Sequence, residues 1–307
     1  MAKLERLGIK MQPKADAVGS FARFNPGCAR QGEYVHLLYR CAECALHSKD
    51  YVTTIGYAKM DLEGRILEDT DGKLIYPTLP EESRGCEDPR IVWFEDWYYL
   101  FYTAFDGELA RVAVARTKDF QSIEKLGVIH HAFFDKDAFI FPQRIGGKIA
   151  YMHRATNDIQ IDYFDSIQDL LHNKIWEDYG AYAEKQTVLR ANPETQQKIG
   201  GGPPPILTDA GWLLIYHSVD KNSVYRAQAA LLDKKNPSKL LAVLPDCLIE
   251  PEQPYEVKGD VDNVVFPQGT YVVGDTLYVY YGAADKYIAL GKVEIPKLVQ
   301  ELLKNKK

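Results

Sequence analysis

The segment Gly85–Ile91 holds a dense group of chemically active side chains: Glu87, Asp88 and Arg90 flank Pro89, directly before an aromatic run. Proline fixes its own φ and disfavours the α region for the residue before it, so we expect Asp88 to be extended. Adjacent side chains on an extended chain point in different directions. One carboxylate would then face a site while its neighbour pairs with Arg90, although a charged turn would have the same composition.

Three further polar residues stand beside hydrophobic, aromatic runs of the chain. Asn25 and Asp137 each precede such a run, and Asp285 follows one. Hydrogen-bonding groups that converge from several strands suit a polyhydroxylated ligand such as a sugar. The 20 tyrosines and four tryptophans could supply stacking faces for sugar rings.

The runs themselves form a repeat, which must position these side chains. One strand type occurs five times, with starts 51 to 65 residues apart. That interval leaves room for about four short strands with turns, the size of a propeller blade. The copies are Val35–Arg40, Tyr98–Thr103, Ile149–Arg154, Trp212–His217 and Leu277–Gly282.

This spacing predicts an all-β protein, a five-bladed β-propeller that uses residues 1–307 as one domain. A two-sheet sandwich is the alternative that the strands alone leave open. Four copies end in a polar residue, Arg40, Thr103, Arg154 or His217, which is out of place in a buried apolar run unless the strand delivers it to a shared site. We therefore expect the five strands to line a central, funnel-shaped active site.

Helical periodicity is confined to short peripheral segments. It predicts one helix over 165–176 and one over about 296–307. Residues 1–18 are expected to form an N-terminal arm outside the blades.

Composition and charge exclude several classes of protein. The net charge is −6 with a pI near 5.7, which offers no electrostatic surface for nucleic acid or an anionic membrane. The N-terminus lacks a signal-peptide core, and no apolar run is long enough to span a bilayer. Five cysteines are odd in number and too few for a disulfide framework, so we expect reduced thiols and a cytoplasmic protein.

Common catalytic fingerprints are also missing. The sequence contains no H-E-x-x-H, G-x-S-x-G or Rossmann motif, and no clustering of carboxylates typical of a metal site. The run 200–205, Gly-Gly-Gly-Pro-Pro-Pro, lacks the spacing of a phosphate-binding P-loop. It is better interpreted as a stiff turn whose glycines allow the backbone to approach the site closely.

Several motifs taken together resemble glycoside hydrolase family 130, the β-mannoside phosphorylases and their relatives. The resemblance runs from about residue 20 to residue 290. It rests on the motifs Phe24-Asn-Pro-Gly, Leu38-Tyr-Arg, Gly85-x-Glu-Asp-Pro-Arg-Ile, His153-Arg, Lys198-Ile-Gly-Gly-Gly-Pro-Pro-Pro-Ile, Gly211-Trp-Leu-Leu-Ile-Tyr-His, Ala230-Leu-Leu-Asp, Asn263-Val-Val-Phe-Pro and Tyr281-Gly-Ala-Ala-Asp. That family has a five-bladed propeller fold, in agreement with the repeat count.

The resemblance implies inverting phosphorolysis of a terminal β-mannoside, β-1,2- or β-1,4-linked, to give α-mannose 1-phosphate. Asp88 corresponds to the acid, which in the family protonates the glycosidic oxygen through a hydroxyl of the mannose. Phosphate arrives already anionic and, unlike water, needs no general base. Inorganic phosphate would be a co-substrate, with no cofactor and no metal.

The family pattern also assigns binding roles. Residues matching its phosphate-binding pattern are Arg154, Lys198 and His217, with Tyr225 as a further candidate and Lys136 or Arg144 as a second basic group from the third blade. Arg offers a planar fork, Lys a point charge and His a donor tuned near neutral pH. The sugar-binding candidates are Asn25, Arg40, Glu87, Arg90, Asp137 and Asp285, with Arg90 also placed to orient Asp88.

Two other functions remain open at this level. Some family members are β-1,2-mannosidases that use water, and their base would have to come from an uncommitted carboxylate, here Asp220, Glu184 or Glu250. Retention of the three cationic residues favours the phosphorylase. A propeller that only binds glycans is the third hypothesis, and it has no use for an acid opposite an anion pocket.

The partners implied are therefore a manno-oligosaccharide and phosphate. The resemblance also suggests a homo-oligomer, assembled through the N-terminal arm or the helix at 165–176.

Overall fold

Five antiparallel sheets dominate the computed structural model of the protein, which describes residues 2–15, 17–129 and 132–305, with only the backbone of residues 71 and 72. The chain starts with β1 (Glu5–Met11). The first sheet then holds β2 (Ala22–Gln31), β3 (Tyr34–Ala42), β4 (Thr54–Asp61) and β5 (Ile66–Ile75), and the second holds β6 (Gly85–Phe94), β7 (Trp97–Phe105), β8 (Ala110–Thr117) and β9 (Glu124–Val128).

The remaining sheets follow the same meander. The third contains β10 (Lys136–Ile140), β11 (Ile149–Arg154), β12 (Ile159–Phe164) and β13 (Thr187–Leu189). The fourth contains β14 (Lys198–Gly201), β15 (Ile206–Thr208), β16 (Gly211–Val219), β17 (Tyr225–Leu232) and β18 (Leu240–Val243). The fifth contains β19 (Val265–Val273), β20 (Thr276–Ala283) and β21 (Tyr287–Glu294). The protein is a five-bladed β-propeller, as the repeat predicts.

The fifth blade is completed from the other end of the chain. Strand β1 pairs antiparallel with β21, in a sheet ordered β19-β20-β21-β1. Pairing the first strand with the last one links the two ends of the ring of blades, so that no blade is left with only three strands. Residues 5–11 are thus a strand of a blade, where the sequence predicts part of a free arm.

The five repeated strands occupy equivalent places in their blades. The sequence predicts that they line the central channel, but each lies one strand further from the propeller axis. They lie in β3, β7, β11, β16 and β20, each the second strand of its blade. The innermost strands are β2, β6, β10, β14 and β19, most of which contact the innermost strands of neighbouring blades. The repeated strands deliver their last polar residues to the site from behind this inner ring.

Three innermost strands carry a β-bulge at the same position. The pairing register shifts between Phe24 and Gly27, between Glu87 and Arg90, and between Lys136 and Phe139. The residues that follow Phe24, Glu87 and Lys136 have positive φ: Asn25 at 46°, Asp88 at 50° and Asp137 at 58°. Asn and Asp tolerate this left-handed conformation better than most residues, and bulges re-aim side chains beside active sites.

The expected extended conformation of Asp88 is therefore wrong. The bulge, rather than the preference imposed by Pro89, sets its backbone. Phe24, Glu87 and Lys136 pair with Arg40, Thr103 and Arg154, so the predicted polar strand ends stand at one level of the propeller.

The helices are short and peripheral. They are α1 (Ile167–His172), α2 (Ala183–Gln186), α3 (Pro254–Val257) and α4 (Ile295–Lys304), with 3₁₀ turns at Pro80–Glu82 and Lys174–Ala181. The helix predicted over 165–176 is split, because the Asn173 side chain caps the turn that follows α1. The last two residues of the helix predicted over 296–307 lie outside the described residues. No helix in the described part of the chain is long and apolar enough to cross a membrane.

Candidate active site

Asp88 lies buried at the centre of a network of donors. Its Oδ1 accepts hydrogen bonds from Nδ2 of Asn25 at 2.9 Å and from Arg40 at 3.3 Å. Its Oδ2 lies 3.9 Å from the ammonium of Lys136. Burial alone would raise the pKa of Asp88, but the positive charges of Arg40, Lys136 and Arg90 outweigh it and hold that pKa below its usual value.

Arg40 also binds the neighbouring carboxylate. Its guanidinium donates to Oε1 of Glu87 at 2.6 Å and to the Tyr51 hydroxyl at 3.0 Å, and Thr53 donates to the same Glu87 oxygen at 3.2 Å. Burial and the charge of Asp88 raise the pKa of Glu87. The predicted pairing of one of these carboxylates with Arg90 is therefore replaced by pairing with Arg40.

Arg90 joins the acid to the third blade. It is 1% exposed and donates to the main-chain oxygen of Asp88 at 3.0 Å, to Oδ1 of Asp137 at 3.0 Å and to the carbonyls of Gly201 and Gly202 at 2.9 and 3.2 Å. With these bonds its guanidinium is turned into the protein. These bonds place Arg90 behind the bulge of Asp88, and its two predicted roles, orienting Asp88 and touching sugar, stay predictions.

Asp137 is likewise engaged on both sides. Its Oδ1 accepts from Arg90, and its Oδ2 accepts from Nε of Arg154 at 2.7 Å. Burial would raise its pKa, but the two guanidinium groups hold it well below the usual range. Both oxygens of this predicted sugar ligand are thus paired with arginines.

The glycines of the 200–202 segment permit this crowding. A Cβ on Gly200 would lie 2.5 Å from Oδ2 of Asp137 and 2.5 Å from the His217 ring. A side chain on Gly201 or Gly202 would lie 2.7 Å from a main-chain oxygen of another strand. The close backbone approach expected from the sequence is confirmed.

Four groups of the predicted phosphate site come together beside Asp137. The Arg154 guanidinium and the Lys136 ammonium lie 5.2 and 5.9 Å from the Phe134 ring, and the Lys198 ammonium lies 5.7 Å from the Tyr225 ring. Within the described residues, the two terminal nitrogens of Arg154 have no hydrogen-bond partner and Lys198 has no carboxylate within 4.0 Å. These donors are available to an anion.

Burial and neighbouring charges set the protonation of Lys198 and His217. Burial lowers the pKa of Lys198, and the charges of Arg154 and Lys136 lower it further. Burial lowers the pKa of His217 to about 3, despite Asp137 nearby, so this ring is neutral at pH 7. His217 lies against Phe266 and Tyr225, with its Nε2 3.7 Å from Oδ2 of Asp137. It can therefore donate from one ring nitrogen only.

Asp285 and Asn25 keep polar atoms that no other described side chain uses. The half-buried carboxylate of Asp285 accepts no hydrogen bond from the described residues. Burial and the charges of Asp88 and Asp260 outweigh the opposing charges of Arg40 and Lys136 and raise its pKa to about 7. Oδ1 of Asn25 is buried without a partner, and a Cβ on Gly282 would lie 1.9 Å from it. Both groups suit contacts to sugar hydroxyls.

Arg144, also predicted as a phosphate ligand, does not join the other predicted ligands in the structure. It lies in the loop joining β10 to β11, at the opposite end of that hairpin from Lys136 and Arg154. There it pairs with Glu95 at 2.6 Å and donates to main-chain oxygens.

Sequence reasoning missed several residues of the site. Gln268 donates from its buried amide to the main-chain oxygens of Asn25 and Pro89, at 2.6 and 2.8 Å, and so ties two bulges together. Gln268 lies at the register shift of β19, the innermost strand of the fifth blade. Aligning β19 with the innermost strands that carry Asn25, Asp88 and Asp137 would have identified it. Phe134, 42% exposed beside Arg154 and Lys136, carried no signal beyond being aromatic.

No group of three or more His, Cys, Asp or Glu is arranged to hold a metal ion among residues 2–15, 17–129 and 132–305. All five cysteines are free thiols.

Residues 9–304 match the model of glycoside hydrolase family 130, described as beta-1,4-mannooligosaccharide phosphorylase. The chain belongs to this family.

Named relatives support the assignment. A 1,2-beta-oligomannan phosphorylase of Thermoanaerobacter sp. (strain X514) is 36% identical over 96% of this chain and 98% of its own length. A beta-1,2-mannobiose phosphorylase of the same strain is 35% identical over 90% of this chain and 91% of its own. The solved structure of beta-1,2-mannobiose phosphorylase from Listeria innocua, in complex with beta-1,2-mannobiose, superposes with a TM-score of 0.83 at 25% identity, covering 97% of this chain and 99% of that one.

Proposed function

We propose that the protein is an inverting β-mannoside phosphorylase that cleaves a terminal β-mannoside with inorganic phosphate and releases α-mannose 1-phosphate. The observation that carries this proposal is a set of cationic donors without a partner among the described residues, the terminal nitrogens of Arg154 and the ammonium of Lys198, in the same site as a buried acid. The names of the relatives, phosphorylases of β-1,2-oligomannan and β-1,2-mannobiose, support the substrate class.

The proposed reaction uses the two halves of the site at once. Phosphate held by Arg154, Lys198, His217 and Tyr225 attacks the anomeric carbon as the bond to the leaving sugar breaks. Asp88 supplies the proton that the leaving oxygen takes up, relayed through a hydroxyl of the mannose. Attack opposite the leaving group inverts the anomeric configuration.

The electrostatics of the site link proton supply to phosphate binding. In the free protein Asp88 is ionised because Arg40, Lys136 and Arg90 lower its pKa. A phosphate anion near Lys136 offsets part of that positive charge. The pKa of Asp88 then rises, which favours protonation of the acid when the nucleophile is in place.

Contacts to the mannose would come from Asn25, Asp285 and Arg40, since they surround Asp88. The exposed ring of Phe134 offers an apolar face for a sugar beside Lys136. Lys136 connects the two halves, because it approaches both the acid and the ring that Arg154 contacts.

The surroundings of the three spare carboxylates favour phosphate over water as nucleophile. Asp220 and Glu250 both pair with Arg226, at 2.8 and 3.0 Å. Glu184 is a surface residue paired with Arg190 at 2.6 Å. None of the three is thus free to act as the base that a hydrolase requires.

We further propose that the protein acts in the cytoplasm and needs no cofactor beyond phosphate. Free thiols persist in a reducing compartment, which fits the five unpaired cysteines.

The test is an incubation of the purified protein with β-1,2- or β-1,4-mannobiose, with and without inorganic phosphate. Mannose 1-phosphate and free mannose are assayed separately, and the anomer is assigned by NMR coupling. We expect the α-phosphate only when phosphate is added. Free mannose at the same rate without phosphate would establish a hydrolase instead.

A further inference from the structure

A cavity opens between the third and fourth blades, separate from the acid and the cationic groups of the candidate active site. It has a volume of about 780 Å³ and is closed on one side by the loop 190–197. This volume lies within the range of small-molecule sites. The loop runs directly into Lys198, so the cavity lies behind the wall of the phosphate cluster.

The wall of the cavity is built from alternate residues of two strands. Trp212 and Leu214 of β16 pack into the apolar interface with the third blade. Tyr216 and Ser218 follow on the same face of β16, because side chains of a strand alternate between its two faces. At these two residues the interface between the blades becomes polar and opens into the cavity. On β17, Gln228 is paired opposite Tyr216 and faces the same space.

Two of these polar side chains are nine-tenths or more buried and keep hydrogen-bonding capacity. Tyr216 is only 3% exposed, and its hydroxyl has no hydrogen-bond partner among the described residues. Gln228, 9% exposed, donates to the Ser218 hydroxyl at 3.0 Å, while its carbonyl oxygen accepts nothing from the described protein. A hydroxyl and an amide oxygen that line an open cavity without a partner among the described residues are available to bond a ligand that enters it.

The charges of the cavity wall are paired with one another and do not favour an ionic ligand. Arg226 is neutralised by Asp220 and Glu250, and Arg190 is neutralised by Glu184. The other lining groups are hydroxyls, amides and apolar side chains, which include Leu240 and Val243. Such a mixture fits a neutral, polyhydroxylated molecule.

We infer that this cavity, the blade 3–4 cleft, is a second, non-catalytic binding site for a manno-oligosaccharide. The inference rests on the proposed function for the identity of the sugar. Tyr216 and Gln228 provide the hydrogen bonds, and the loop 190–197 provides the contact between this site and Lys198.

Titration calorimetry with β-1,2-mannotetraose tests the inference, using Asp88→Asn protein so that no turnover occurs. We expect two binding events. Tyr216→Phe should weaken one of them about three- to tenfold, the effect of one neutral hydrogen bond, and leave the other unchanged. Gln228→Leu should weaken the same event.

Tyr163→Phe is the matched control, because the Tyr163 hydroxyl bonds only to Ser238, outside the cleft. It should alter neither event. Tyr216→Phe in the active protein should keep its melting temperature and its kinetics with mannobiose and phosphate, since the hydroxyl has no partner among the described residues.

A single binding event in a protein that is active with mannobiose overturns the second site and leaves the proposed function standing. An equal effect of Tyr216→Phe on both events also overturns it. A dimer in sedimentation that Gln228→Arg dissociates would mean that another copy of the chain covers the cleft. Absence of phosphorolysis in the wild-type protein is the separate failure of the proposed function.

Discussion

Arg154 offers the sharpest test of the proposed anion site, because its guanidinium has two duties. Nε binds Oδ2 of Asp137 at 2.7 Å, while the two terminal nitrogens have no partner among the described residues. Lysine keeps the positive charge but has no planar fork, so Arg154→Lys cannot serve Asp137 and a phosphate together. A bidentate contact to phosphate would be reduced to a single one.

The size of the effect follows from the lost bond. A hydrogen bond to a charged group contributes about 1.5 to 3 kcal/mol. At about 1.4 kcal/mol for each factor of ten, kcat/KM for phosphate should fall roughly 10- to 150-fold. Initial rates of mannose 1-phosphate formation, with phosphate varied at fixed mannobiose, measure this value.

Arg116→Lys is the matched control. Arg116 also forms a two-pronged pair, with Glu124, but on the outside of the second blade. It should leave the kinetics unchanged. An Arg154→Lys protein with normal kcat/KM for phosphate, or with a loss confined to the KM for mannobiose, would refute the assignment of Arg154 to the anion.

Three more outcomes are expected. Asp88→Asn should lower turnover by at least about 100-fold with little change in melting temperature, as assayed by mannose 1-phosphate release; normal activity would remove Asp88 from the chemistry. Gly200→Ala should weaken phosphate saturation and lower stability by about 1 to 3 kcal/mol in urea unfolding, since its methyl would overlap Asp137 and His217. His153 is fully buried between Asp135 and Asp162, whose carboxylates outweigh the effect of burial and raise its pKa to about 9. The raised pKa contributes up to roughly 3 kcal/mol to the free energy of unfolding. This contribution is complete below about pH 6.5 and is lost as the pH rises through 9. A His153→Gln protein whose stability kept the same pH dependence would contradict this.

The fold was predictable because it repeats. Five hydrophobic strands at near-regular spacing, four of them with polar ends, predict five blades. The completion of the last blade by residues 5–11 was not predictable in the same way. Leu7, Ile9 and Met11 alternate with Gly8 and Lys10 as in a strand, but the pairing of this segment with β21 depends on the two ends of the ring meeting in space.

The residue types of the site were easier to predict than their roles. Asn25, Asp88 and Asp137 were identified because polar residues recur beside the repeated strands. Local sequence could not show that their bulges give them positive φ, nor that Arg90 reaches across to Asp137 in the next blade. Arg144 was grouped with Lys136 and Arg154 because it lies between them in the sequence. The hairpin that joins β10 to β11 carries it to the opposite end of these strands.

The most direct test of the account is the origin of the oxygen that the cleaved mannose acquires. Mannobiose is treated with the protein and unlabelled phosphate in H₂¹⁸O, and the products are analysed by mass spectrometry at early times. We expect mannose 1-phosphate without ¹⁸O at the anomeric bond, and no labelled mannose beyond that from spontaneous exchange. Free mannose carrying ¹⁸O in proportion to turnover would show that water attacks, and would contradict the assignment of Arg154 and Lys198 to a phosphate nucleophile.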